Sequence, residues 1–94
     1  WGSAVVLSRW LLDRGGQGPL AAARRAVELG SGCGLSGITA ARYACPALTR
    51  LVLTDYNATT LGNLAHNLAA NGLSEGGVAS VAAVDWDDEA SYPA

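Results

Sequence analysis

The run Glu28-Leu29-Gly30-Ser31-Gly32-Cys33-Gly34-Leu35-Ser36-Gly37 carries the strongest chemical signal in the sequence. Gly32, Gly34 and Gly37 match the spacing G-x-G-x-x-G, between an expected strand and an expected helix. Glycines serve there because the chain must turn tightly and a ligand must reach the backbone without meeting Cβ atoms. The helix that follows would aim its first N–H groups at that ligand. Asp55 comes after the next apolar segment, about 20 residues beyond the turn, where an acid can accept hydrogen bonds from ribose hydroxyls. Its other reading is a helix N-cap, and Asn57 shares that reading. Asp85-Trp86 follows a third apolar segment. An aspartate there can accept from an adenine amino group, and an indole can pack on a purine face. The plainer alternative is an acidic loop with one core tryptophan.

Charge narrows the ligand. A dinucleotide would set its pyrophosphate at the helix N-terminus. The carboxylate of Glu28, just ahead of Gly30, would repel it. Glu28 suits a cationic ligand without phosphate. S-adenosylmethionine has a sulfonium, an ammonium and a ribose, so the charge pattern favours it as cofactor over NAD. Glu28 could instead be a strand-end acid in water, but its neighbours Val27 and Leu29 read as buried.

These residues need elements to hold them. Residues 3–14 have the spacing of an amphipathic helix, with Ser3 as N-cap and Val6, Leu7, Trp10 and Leu11 as its stripe. Glycines and Pro19 then break regular structure, and 20–23 allow a short helical turn. Strands are expected at about 25–29, 51–54 and 78–84, and helices at about 35–44 and 57–71. Cys45-Pro46 would end the first of these helices and Asn71-Gly72 would cap the second. Strands alternating with helices imply right-handed parallel βαβ units, here half of a doubly wound, Rossmann-like α/β sheet in order 3-2-1.

Composition excludes several classes. The 94 residues make one small domain, half of them hydrophobic and 15% charged, which argues against disorder. All six basic residues are Arg and the net charge is −2, so no basic stripe for nucleic acid is visible. No apolar run is long enough for a membrane span. Cys33 and Cys45 are too few for a disulfide scaffold or a metal site, and read as free thiols of a reducing, cytoplasmic compartment. His66 reads as a solvated surface residue beside Asn63 and Asn67. Asp87-Asp88-Glu89 reads as a solvated loop.

As a set, the segments at 28–35, Leu-Thr-Asp-Tyr-Asn at 53–57, Asn-Leu-Ala-His-Asn-Leu-Ala-Ala-Asn-Gly at 63–72 and Asp-Trp-Asp at 85–87 resemble the family 16 methyltransferases. Trp1, Ala4 and Leu7 resemble the Trp-x-x-Ala-x-x-Leu start of that catalytic domain. The resemblance implies a seven-strand, S-adenosylmethionine-dependent enzyme acting on lysine in a protein. It implies that Gly30, Gly32 and Gly34 line the methionine part, with Glu28 at the rim. It implies that Asp55 holds the ribose, that Tyr56 and Asn57 sit beside the adenine, and that Asp85 and Trp86 meet its edge and face. Trp1 would close over the cofactor. Cys45-Pro46 and the Asp-Trp-Asp ending are similar to the elongation factor 2 lysine methyltransferases, which implies a translation factor as partner. The family's catalytic acid-x-x-Tyr segment follows a fourth strand, and this sequence reaches Ala94 before one. With Trp1 rather than Met at its start, the chain is expected to be a fragment, inactive alone, with no catalytic residue of its own.

Overall fold

A computed structural model describes residues 2–14, 17–73 and 77–93. Trp1 lies outside the described residues. Helix α1 spans Gly2–Arg14. A 3-10 turn at Gly18–Ala22 leads into strand β1, Arg25–Glu28. Helix α2, Leu35–Thr39, continues as a π turn over Ala40–Ala44. Strand β2 is Arg50–Asp55, helix α3 is Ala58–Ala70, and strand β3 is Ala79–Ala83. A last 3-10 turn covers Glu89–Ser91.

The sheet is parallel, in order β1-β2-β3, with Val27 opposite Val52 and Leu53 opposite Val81. This is the order 3-2-1 read from the other edge. β2 is the central strand, and its apolar run reflects that: Leu51, Val52, Leu53 and Thr54 are all buried. Leu53 packs in the core with Leu64 and Leu68 of α3, Leu11 of α1 and Ala79 of β3. Full burial of Leu53 or Leu64 is worth about 1.5–3 kcal/mol each.

The helix over 35–44 is not uniform. The Cys45 N–H reaches back to the Ala40 carbonyl at 2.9 Å, a five-residue step that widens the last turn. Cys45 then adopts φ −124°, because Pro46 bars its predecessor from the helical region. α3 has defined ends. Asn57 Oδ1 accepts from the N–H groups of Thr59 (2.9 Å) and Thr60 (3.2 Å). At the other end Gly72 has φ 74°, and the N–H groups of Gly72 and Leu73 donate to Ala69 and Leu68. That is the Schellman pattern, and it needs a residue free to be left-handed.

α1 differs from its expected packing. Leu11 is the stripe residue that is buried; Val6 is 69% exposed, Trp10 48% and Leu7 45%. Leu11 and Ser8 are the buried residues. Ser8 Oγ donates to the Ala4 carbonyl at 2.7 Å, and Ser36 Oγ of α2 donates to the same carbonyl at 3.3 Å. The first bond lies within α1; the second crosses to α2, so the small pair Ala4 and Ser8 is the face of α1 that meets Ser36. Ser3 falls within the first turn of α1, not ahead of it.

Candidate cofactor site

Three chain segments leave the sheet at its carboxyl edge and meet there. Asp55 ends β2. Its neighbours on either side are tied to it by backbone bonds: the Ser31 N–H donates to the Thr54 carbonyl at 2.8 Å, and the Val84 N–H to the Asp55 carbonyl at 3.0 Å. Between them opens a cavity of about 530 Å³ lined by Gly30, Asp55, Tyr56, Val84, Asp85, Trp86 and Asp87. That is the size of a small-molecule site, at the strand-end position where parallel α/β sheets bind ligands.

Each wall has a structural reason. A Cβ built on Gly30 would meet only Trp86 Cζ2, at 4.0 Å, so the glycine faces open space below the indole. Gly32 likewise has open space where a side chain would stand, at φ 57°. Val84, 2% exposed, lines the cavity from the core side. Trp86 and Tyr56 stand exposed at the mouth, at 66% and 73%. Tyr92 Oη donates to the Trp86 carbonyl at 2.7 Å. Ser91 Oγ takes the Asp85 N–H at 3.0 Å and bonds the Asp88 carbonyl at 2.7 Å. The loop carrying Asp85 and Trp86 is therefore closed on itself.

Asp55 joins the glycine turn to the cavity. Its Oδ2 accepts the Gly32 N–H at 3.0 Å and its Oδ1 the Tyr56 N–H at 2.8 Å. The Gly32 N–H, first among its donors, holds this carboxyl below the usual aspartate range. Both oxygens keep lone pairs for a ligand.

Glu28 sits elsewhere than its rim position. Val27 and Leu29 are the exposed residues, at 51% and 62%, while Glu28 turns inward beneath α2 and is absent from the cavity lining. Its Oε1 is buried with no hydrogen-bond partner, and burial pushes the carboxyl up. Strand alternation explains the reversal: Ala26 and Glu28 face the helices, and Val27 and Leu29 face away.

Other expected site residues serve the scaffold. Gly34, at φ 93°, is buried, and a Cβ there would strike Leu64 Cδ1 at 2.5 Å. Asn57 gives its side-chain oxygen to the cap of α3 and does not line the cavity. Conversely, Val84 and Asp87 line it, where the sequence predicts a strand end for the first and a solvated loop for the second. The signal for Asp87 was the Asp-x-Asp pattern itself: Asp85 Oδ1 takes the Asp87 N–H at 2.9 Å, an Asx turn that folds Asp87 back to the mouth. His66 is exposed, as are Asp88 and Glu89.

A family profile described as lysine methyltransferase matches residues 1–93. The chain belongs to the lysine methyltransferase family. The protein-lysine N-methyltransferase EEF2KMT of Mus musculus is 32% identical over 98 residues, which take in 94% of this chain and 28% of the mouse protein. Among solved structures, the O-methyltransferase TomG from Streptomyces achromogenes, in complex with SAM, superposes with a TM-score of 0.59 at 24% identity. It covers 87% of this chain and 32% of TomG. Cofactor-bound Rv0187 from MTB gives 0.56 at 26% identity, over 87% of this chain and 42% of its own. The chain thus spans under a third of its mouse relative and about a third of the TomG chain. The Rossmann-like reading stands, and S-adenosylmethionine is the cofactor of this family. The NAD alternative falls away.

Proposed function

We propose that this lysine methyltransferase chain forms the S-adenosylmethionine floor of an enzyme that methylates lysine in a protein, a translation factor being the favoured class. The observation that carries the reading is the strand-end cavity, where Gly30, Asp55, Asp85 and Trp86 converge. Its lining has three carboxylates and no basic side chain among the described residues, which suits a cationic nucleoside and repels a phosphate. Bound there, S-adenosylmethionine would supply a methyl group already activated by its sulfonium.

The chain's own residues bind and orient. Asp55, held ionised by the Gly32 and Tyr56 N–H groups, would accept from the ribose hydroxyls. Asp85 would take the adenine amino group, and Trp86 and Tyr56 would flank the ring. Gly30 and Gly32 would let the methionine part approach the backbone. Glu28 would act from beneath the turn, through its field. Trp1 keeps the role of a cover over the cofactor that the family resemblance implies. The acceptor lysine must shed a proton from a group of free pKa about 10.4 and be held in line with the methyl carbon. We assign that amine site to no residue of 1–94. The free thiols Cys33 and Cys45 fit a reducing cytoplasmic or nuclear setting, and no described helix is long and apolar enough to cross a membrane.

Thermal unfolding of the 94-residue chain with S-adenosylhomocysteine and with NAD tests this. The account expects a rise with the first, about 2.7 kcal/mol at a hundredfold excess over Kd, and none with NAD. A rise with NAD alone would overturn it.

A further inference from the structure

Cys33 lies between two left-handed glycines, Gly32 at φ 57° and Gly34 at φ 93°. Such a stretch has little torsional preference of its own, so its position must be imposed from outside. Within the turn, the Gly34 N–H bonds the Ser31 carbonyl at 2.9 Å. Asp55 pins the Gly32 N–H on the cavity side. At its two ends the turn is tied by backbone bonds, from the Ser31 N–H to the Thr54 carbonyl and from the Ile38 N–H to the Gly34 carbonyl, both 2.8 Å. Asn67 Nδ2 of α3 donates to the Cys33 carbonyl at 2.8 Å, within a separate surface groove. Asn67 is half-buried, and its own carbonyl is held by Asn71 Nδ2 at 2.8 Å.

We propose that Asn67 is a positioning residue for the cofactor: its amide fixes the Cys33 carbonyl from α3, so that the Gly32 N–H stays on Asp55 and the glycine turn keeps one shape at the cavity edge. Asn67 does not line the cavity and is not itself a binding group. It acts through Cys33 and Gly32 on the one carboxylate that both the turn and the cavity share. The helix supplies the rigidity: α3 is anchored by buried Leu64 and Leu68, and Leu64 also packs on Gly34. Losing the bond removes the tie from α3 to the Cys33 peptide and leaves the turn held through the backbone groups of Ser31, Gly32 and Gly34. The inference rests on the cofactor reading above.

The test compares Asn67→Asp, Asn67→Ala and Asn71→Ala in the 94-residue chain. The first keeps shape and sets a carboxylate against a carbonyl. The second only removes the donor. The third loosens the same face of α3 without touching the turn. Hydrogen exchange of the Gly32 amide, followed without ligand, should speed up about fivefold or more in both Asn67 variants and stay within about twofold in Asn71→Ala. S-adenosylhomocysteine Kd should weaken about five- to tenfold in the Asn67 variants, beyond what their Tm losses produce in the control. Unchanged Gly32 exchange, or equal losses of affinity in all three, would overturn the positioning role. If the unmodified chain binds no S-adenosylhomocysteine, the cofactor reading fails instead, while the exchange comparison still decides whether Asn67 holds the turn.

Discussion

Glu28 and Asp55 show one chemical group, the carboxyl, set to opposite tasks by its surroundings. Burial raises the Glu28 carboxyl, and the Gly32 N–H lowers that of Asp55. Their linkage to stability has opposite signs. Asp55 contributes stability that is present above its unfolded pKa and is lost as pH falls through its lowered folded value. Glu28 favours the folded state below its unfolded value of 4.5, and that contribution is lost as pH rises through the raised folded value. Glu28→Gln removes the cost of a half-buried charge with an unpartnered oxygen. It should raise the Tm of the chain by about 2–4 °C at pH 7, with the gain vanishing near pH 4. An equal shift at both pH values would show that the charge is not the cause. Asp55 and the Asp85-Trp86 pair were legible at this scale because residue type and spacing alone point to them. Glu28's inward turn was not: Val27 and Leu29 look apolar enough to be buried, and only the strand's pairing decides which alternate face meets the helices.

At the scale of elements, glycines separate into those the fold requires and those it merely tolerates. A Cβ on Gly37 would lie 2.5 Å from Leu53 Cδ2 and 2.9 Å from Glu28 Oε1, so α2 can seat on the sheet only without one. Gly37→Ala should destabilise by about 1–3 kcal/mol in urea unfolding. Gly62, inside α3, has nothing within 4 Å, and Gly62→Ala should stabilise by about 0.5–1 kcal/mol in the same assay. Equal effects at the two positions would contradict the packing described. Element order and the caps of α3 could be read from turn and cap residues, since those signals are local. The orientation of α1 could not. Val6, Leu7 and Trp10 of its stripe stay exposed, and the face it buries carries Leu11 with Ser8, beside the Ser36 to Ala4 bond between the helices. The bond from Asn67 to Cys33 spans 34 positions and has no local signal at all.

At the scale of the whole molecule, a Cα radius of gyration of 12.6 Å is that of a compact domain of this length. Its outer surfaces are less finished than its core. Val27 and Leu29 leave the sheet half-open, and α1 shows Val6, Trp10 and Leu12 to solvent. The carboxyl edge, by contrast, is complete enough to define a cavity from three strands. The central claim is that this cavity takes S-adenosylmethionine through Asp55. Calorimetric titration of S-adenosylhomocysteine into the unmodified chain and into Asp55→Ala tests it most directly. The account predicts one site in the unmodified chain and a loss of about 1–3 kcal/mol in the variant, the cost of unpaired ribose hydroxyls. Equal affinity in both proteins would contradict it.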